Sequence, residues 1–184
     1  MVKLKKLLSI IVLGAMIMTN AVPVSAAEAG NNEKINSLSE IDLGEYEQYL
    51  IDDEEQVTDK TRVAAPPLTS FKLYAINSEK AGIEYISTSS SFAQVGSTLD
   101  HGGTWFQAVT IETGYAKTRY AYFNNIRMTL TGTEGFDVDG DRVIDGYFCV
   151  WTYEGNSYEA GTFTANSTSA NSPWNTMNMT FYVH

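Results

Sequence analysis

Two stretches of strict alternation constrain the fold more than any other feature of the chain. Ile126, Met128 and Leu130 alternate with Arg127, Thr129 and Thr131, and Met177, Met179, Phe181 and Val183 alternate with Asn178, Thr180 and Tyr182. Successive side chains of a strand point to opposite faces, so each stretch predicts a strand buried on one side. Residues 147–153, Tyr-Phe-Cys-Val-Trp-Thr-Tyr, are apolar at both parities and predict a central strand covered on both faces. Further strands are expected at 71–76, 82–87, 105–112 and 158–164. The turn chemistry of Glu154-Gly155-Asn156-Ser157 predicts a hairpin between residues 147–153 and 158–164. About seven to nine short strands separated by Gly, Asn and Ser, with no long helix after residue 66, give an all-β chain. The architecture expected is a single antiparallel β-sandwich or open barrel.

The aromatic residues show where that domain begins. Of the 22 aromatics (8 Phe, 11 Tyr, 3 Trp), only Tyr46 and Tyr49 precede residue 66. Acidic residues are distributed the opposite way. Eleven of the 22 acids lie within residues 27–62, against Lys34, Lys60 and Arg62. A segment so charged buries little apolar surface to offset its ordering entropy, so residues 27–65 are expected to be largely unstructured. They read as an acidic linker, with a docked pro-segment as the alternative. Ser37-x-x-Glu40 has the form of a capping box, and Leu43, Tyr46 and Leu50 follow at helical spacing. Ala64-Ala65-Pro66-Pro67 then leads into the β domain at 66–184.

Residues 1–26 have the order of a secretory signal. Lys3, Lys5 and Lys6 precede an apolar run of about twelve residues, and Val24-Ser25-Ala26 offers small residues for cleavage. That run is short of the roughly 20 residues of a membrane-spanning helix, and position 27 is Ala rather than a lipidated cysteine. The expectation is a secreted, extracellular protein with no membrane anchor. Loss of the three lysines with the signal takes the formal net charge from −10 to −13, which argues against nucleic acid as a partner. The mixed bases and rings at Tyr115, Lys117, Arg119, Tyr120 and Tyr122 do not reverse that balance. Cys149 alone excludes a disulfide scaffold, and its apolar strand makes it a core residue rather than a nucleophile.

The runs Pro67-Leu68-Thr69-Ser70-Phe71 and Ile76-Asn77-Ser78-Glu79-Lys80, the Asp100-His101-Gly102-Gly103-Thr104 turn, the loop 137–146, and the tail from Gly161-Thr162-Phe163 to Asn175-Thr176-Met177 carry a family resemblance. Together they resemble the small secreted YolA-type proteins of Bacillus, over most of residues 66–184. The resemblance implies a secreted, Gram-positive, phage-associated setting and little chemistry, because that family is itself of unknown function. The chain departs from it at Arg142, where the family loop carries glycine.

The sharpest chemical feature is Asp137-Val138-Asp139-Gly140-Asp141-Arg142-Val143-Ile144-Asp145-Gly146. Acids at loop positions 1, 3, 5 and 9, with an aliphatic residue at position 8, are the pattern of a calcium loop. Oxygen ligands there converge from alternate residues of a tight coil onto one hard cation. Asp137, Asp139, Asp141 and Asp145 are therefore the candidate Ca2+ ligands. Against this stand Arg142 at the sixth position and Phe148 at the twelfth, and the competing reading is a solvated acidic turn. Gly140 is the residue that would bend the loop instead, and Glu134 is a further candidate oxygen donor.

Asp100 and His101, followed by Gly102-Gly103, offer the alternative of a small hydrolase with His101 as a base oriented by a carboxylate. The simpler reading, a polar turn, assigns no catalytic residue. Trp174 lies in the polar stretch Asn171-Ser172-Pro173-Trp174-Asn175, where an exposed ring would stack on a glycan or a protein partner and an inward ring would close the sandwich. The reading adopted is a calcium-stabilised extracellular binding or interaction module, with the hydrolase and a toxin-like or antimicrobial product as alternatives.

Overall fold

In the computed structural model, the residues described are 33–51, 66–87, 94–141 and 143–184. The signal at 1–26, the acidic stretch 52–65 and Arg142 lie outside them. Among the described residues nine strands form two antiparallel sheets: β1 (Ser70–Ser78), β2 (Gly82–Tyr85), β3 (Gly103–Thr113), β4 (Ala116–Phe123), β5 (Ile126–Arg127), β6 (Thr129–Phe136), β7 (Gly146–Tyr158), β8 (Gly161–Ser169) and β9 (Thr176–Val183). The five-stranded sheet runs β2-β1-β3-β7-β6 and the four-stranded sheet β5-β4-β8-β9. The architecture is the expected sandwich. Among the described residues no helix is long and apolar enough to cross a membrane.

The inner core lies between the sheets. Phe106, Ala108, Cys149, Trp151 and Tyr153 of the larger sheet meet Ala121, Phe123, Phe163, Ala165, Phe181 and Val183 of the smaller one. Phe106 and Phe123 stack across the gap with ring centroids 4.4 Å apart, and Tyr158 stands edge-on to both. In β9 the inward parity is Met177, Met179, Phe181 and Val183, with burial deepening toward the C-terminus, as the alternation predicts.

Two expectations about individual strands are corrected. The alternating run at 126–131 is not one strand. Asn124 and Asn125 take positive φ (50° and 65°) in the tight turn after β4, and the chain then crosses between sheets at Met128. Met128 is 3% exposed, whereas Ile126 and Leu130 face solvent at 52% and 41%. Nor is there a hairpin at residues 154–157. There β7 stays paired with β3 out to the Gly103–Tyr158 register, and the chain then passes into the other sheet as β8. Tyr158 holds this end of the strand down, buried and with its hydroxyl donating to the Trp105 carbonyl at 3.3 Å.

Within the acidic segment the described residues, 33–51, are not a solvated spacer. They lie on the outer face of the five-stranded sheet and form a second core. Ile35, Leu38, Ile41 and Leu43, each at most 4% exposed, pack with Ala75, Val109, Ile111, Phe136, Phe148 and Val150. Tyr46 adds edge-on contacts to Phe136 and Phe148 at 5.2 and 5.5 Å. The local conformation is two 3-10 turns, Leu38–Glu40 and Gly44–Tyr49, rather than one α-helix. Ser37 caps the first of them by accepting from the Ser39 N–H, and the Glu40 carboxylate reaches back to the Asn36 N–H at 3.0 Å. Charge counting missed the docking because the acids point outward between apolar residues that point in.

Leu43 is 1% exposed in this outer core. Leu43→Ala is therefore expected to destabilise the protein by about 2 to 5 kcal/mol, the usual cost of truncating a buried leucine, where a spacer residue would cost nearly nothing. Urea unfolding curves of the two proteins measure the difference.

Candidate functional site

The acidic loop joins β6 to β7, two hydrogen-bonded neighbours, and its geometry is set from within. The Gly140 N–H donates to Asp137 Oδ1 at 2.8 Å, the Asp141 N–H to Asp139 Oδ1 at 3.1 Å, and the Val138 N–H to Asp145 Oδ2 at 2.8 Å. Gly140 supplies the sharp bend, at φ +74° with open space where a side chain would begin. The bend therefore comes two residues before Arg142, the position at which glycine is usual in such loops. Asp137, Asp139 and Asp145 each present a carboxylate oxygen within 4.8 Å of the others. Oxygens that share one calcium at 2.3–2.6 Å stand at most about 5 Å apart, so this spacing suits a single ion.

Asp141 is not in that group. Its Oδ1 accepts from the Val143 N–H at 2.7 Å, so it shapes the turn. Phe148, at the twelfth position, is fully buried in the outer core and cannot be a ligand. Glu134 also falls outside the three-carboxylate group. The N–H of Asp141 favours the charge on Asp139, but desolvation and the carboxylates of Asp141, Asp145 and Asp137 outweigh it, and the Asp139 pKa is raised. A bound cation would remove that repulsion.

Trp174 lies at the same end of the sandwich. The connection runs through the β3–β4 turn. There the Gly114 N–H donates to the Asp145 carbonyl at 2.6 Å and the Ala170 N–H donates to the Tyr115 carbonyl at 2.8 Å. The loop that carries Trp174 is thus one turn removed from the acidic loop. Gly114 is required at this junction, because at φ +91° a β-carbon would lie 2.1 Å from the Pro67 carbonyl oxygen. Trp174 itself adopts φ +57°, a conformation unusual for a bulky residue, and its side chain is 62% exposed. The ring faces outward rather than closing the sandwich.

Asp100 and His101 sit at the opposite end and are not partners. Asp100 pairs with Lys80 at the surface, 2.6 Å away. His101 is fully buried between Ser78 and Glu84: Nδ1 lies 2.9 Å from Ser78 Oγ, and Nε2 lies 3.0 Å from Glu84 Oε2. Glu84 also accepts from Gln94 Nε2, from the Thr98 N–H and hydroxyl, and from the Leu99 N–H. A depression of about 600 Å³ lined by Gln94, Val95, Gly96, Thr98, Tyr182 and His184 lies nearby, and neither Asp100 nor His101 lines it. The network ties residues 94–101 to the β1–β2 hairpin. Neighbourhood in sequence suggested Asp100 as the orienting acid; Glu84 takes that place because β2 runs it beneath the loop.

Glu112 and Cys149 are also buried. Glu112 of β3 receives the guanidinium of Arg119 from β4, at 2.6 Å through Nε, and the Ser167 hydroxyl from β8 at 2.9 Å. Arg119 also lies over the Tyr147 ring at 5.0 Å, so its charge is spent inside the fold. Burial, with the Glu112 charge second, pushes the Cys149 thiol up to about 12, which agrees with its reading as a core residue.

The Glu84 network generates a pH prediction. Burial works against the charge on Glu84, but the hydrogen bonds from His101, Thr98, Leu99 and Gln94 prevail and hold its pKa at about 2, against 4.5 in an exposed carboxyl. A carboxylate with a depressed folded pKa contributes stability that is complete above the unfolded value and lost as pH falls through the folded one. The wild type is expected to lose on the order of 3 kcal/mol between about pH 4.5 and pH 2 from this group. Glu84→Gln should be less stable at pH 7 and lack that part of the acid slope, as read from urea midpoints across the range.

The family model described as "Domain of unknown function (DUF4879)" matches residues 58–183. No curated protein and no solved structure gives a significant match.

Proposed function

We propose that this chain, which belongs to the DUF4879 family, is a secreted extracellular binding module whose functional end is ordered by calcium. The observation that carries the reading is the convergence of Asp137, Asp139 and Asp145 to within 4.8 Å of one another. Those three residues hold the ion in this account, and Asp141 sets the turn. The loop closes the β6–β7 connection and is hydrogen-bonded through Gly114 and Tyr115 to the loop bearing Trp174. Calcium therefore acts on the presentation of the ring, which meets an extracellular glycan or protein by stacking.

Export bears on the affinity required. The signal-like residues 1–26 and the Gram-positive setting of the YolA-type resemblance support export, and extracellular calcium sites work at dissociation constants of about 0.1 to 1 mM. At tenfold excess over such a constant the stabilisation is RT ln 11, about 1.4 kcal/mol. For a domain of this size that raises the melting temperature by about 4 °C.

The experiment is a thermal melt in chelator, in calcium and in magnesium. Calcium should raise the midpoint by that amount, and magnesium should do less because it demands a tighter octahedral shell. Asp139→Asn and Asp145→Asn should each remove most of the shift, while Asp141→Asn should keep most of it. Identical melts in all three solutions would reduce the loop to a solvated acidic turn and defeat the proposal.

A further inference from the structure

The way residues 33–51 are held differs from ordinary core packing. Much of the grip is on backbone, and it comes from side chains of the sheet. Gln107 of β3, 2% exposed, takes both peptide groups of one residue: Oε1 accepts the Ile35 N–H at 2.6 Å, and Nε2 donates to the Ile35 carbonyl at 2.9 Å. Asn77 of β1 donates to the Glu33 carbonyl at 2.9 Å. Seven residues further on, two tyrosines do the same at Asp42, Tyr85 accepting its N–H at 2.8 Å and Tyr74 donating to its carbonyl at 2.9 Å. Burial, then the nearby Asp42 charge, pushes the Tyr74 hydroxyl up to about 12, so it remains a donor. At the far end the grip is main chain to main chain, from the Ile51 N–H to the Gly135 carbonyl and from the Asp137 N–H to the Tyr49 carbonyl.

Backbone clamps of this kind are indifferent to the side chains of what they hold, and specificity comes from apolar side chains entering between them. Here Ile35, Leu38, Ile41 and Leu43 enter, while Glu40, Asp42, Glu45 and Glu47 stay outside. The Asn77 Oδ1 atom is fully buried and has no hydrogen-bond partner among the described residues, so the clamp set holds an acceptor that the present occupant does not use.

We propose that the outer face of the five-stranded sheet is a peptide-binding surface: it takes a peptide that turns as residues 33–51 do, with apolar side chains at the spacing of Ile35, Leu38, Ile41 and Leu43, and residues 33–51 occupy it as a ligand in cis. The proposal rests on the binding-module reading and names a partner class for a second face, remote in chemistry from Trp174. The tethered segment competes at an effective concentration on the order of millimolar, so the intact chain binds an outside peptide weakly and the nicked chain binds it well.

The test uses the full chain with a site-specific protease sequence placed within residues 52–65. After cleavage, the sample is passed through dilute urea, returned to buffer and titrated with a fluorescent peptide of residues 33–51, read by anisotropy. Saturable uptake by the nicked chain, at least about tenfold tighter than by the intact chain, is the expected result. A peptide N-methylated at Ile35 loses the N–H donated to Gln107 Oε1 without any change to the protein, and it should bind about tenfold more weakly. A Leu38→Asp, Ile41→Asp peptide should not bind, whereas replacing Glu40, Glu45 and Glu47 by Gln should change little. Two results overturn the proposal: loss of the near-ultraviolet circular dichroism on nicking, or a folded nicked chain that takes up no peptide. The calcium shift is measured on the same nicked sample. Its persistence without peptide uptake defeats this proposal alone, and its absence alongside uptake defeats only the calcium reading.

Discussion

Everything in this molecule is arranged around the need to cover β3 on both faces. Eight consecutive residues of that strand, Trp105 to Glu112, are buried, and its neighbour β7 is buried nearly as continuously. A single sheet contact satisfies one parity only. Phe106 and Ala108 find the four-stranded sheet, and Val109 and Ile111 need something else. In an α/β protein helices supply that cover. Here the cover is nineteen residues of irregular chain, which must also satisfy its own peptide groups without a ladder. The buried Gln107 and Asn77, unusual residues for a central sheet, meet that second need.

The same constraint explains what the sequence made legible. Period-two alternation at 177–183 and double-parity burial at 147–153 are direct consequences of sheet geometry, and both appear in the structure. Alternation at 126–131 misled because the chain changes sheets at Met128, so the run is split between two edge strands and of its alternating apolar residues Met128 alone is buried. The Asn124-Asn125 pair was the available signal, since tight hairpin turns want residues that tolerate positive φ. The docking of residues 33–51 was hidden by composition, because net charge averages over a segment whose apolar residues recur at spacings of two and three. At the acidic loop the spacing of carboxylates was readable, while the separation of Asp141 from the other three depends on which backbone N–H each side chain accepts. Glu84 could not be assigned to His101 in advance because their meeting depends on the tertiary path of β2.

The two ends of the sandwich are held together differently. At one end the acidic loop, the β3–β4 turn and the Trp174 loop are joined by single backbone hydrogen bonds. At the other end Glu84 collects five donors, and the loop 94–101 is fixed by the chain itself. A buried carboxylate so fully satisfied contributes definition as well as stability. The hydrolase alternative required a carboxylate and an imidazole converging on open space, and the structure places the imidazole of His101 where no solvent reaches it.

The central claim is that residues 33–51 are a bound segment of the fold, cooperative within itself and distinct from the sheet it covers. Native-state hydrogen exchange of the full chain, resolved by residue, tests this most directly. The amides of Ile35, Asp42 and Ile51 are each hydrogen-bonded to the sheet or to its adjoining strand. They should share one opening free energy, well above that of a free peptide and below that of Val109 and Val150, as a unit that opens before the sandwich does. Exchange of the three amides at free-peptide rates, while Val109 and Val150 stay protected, would contradict the account.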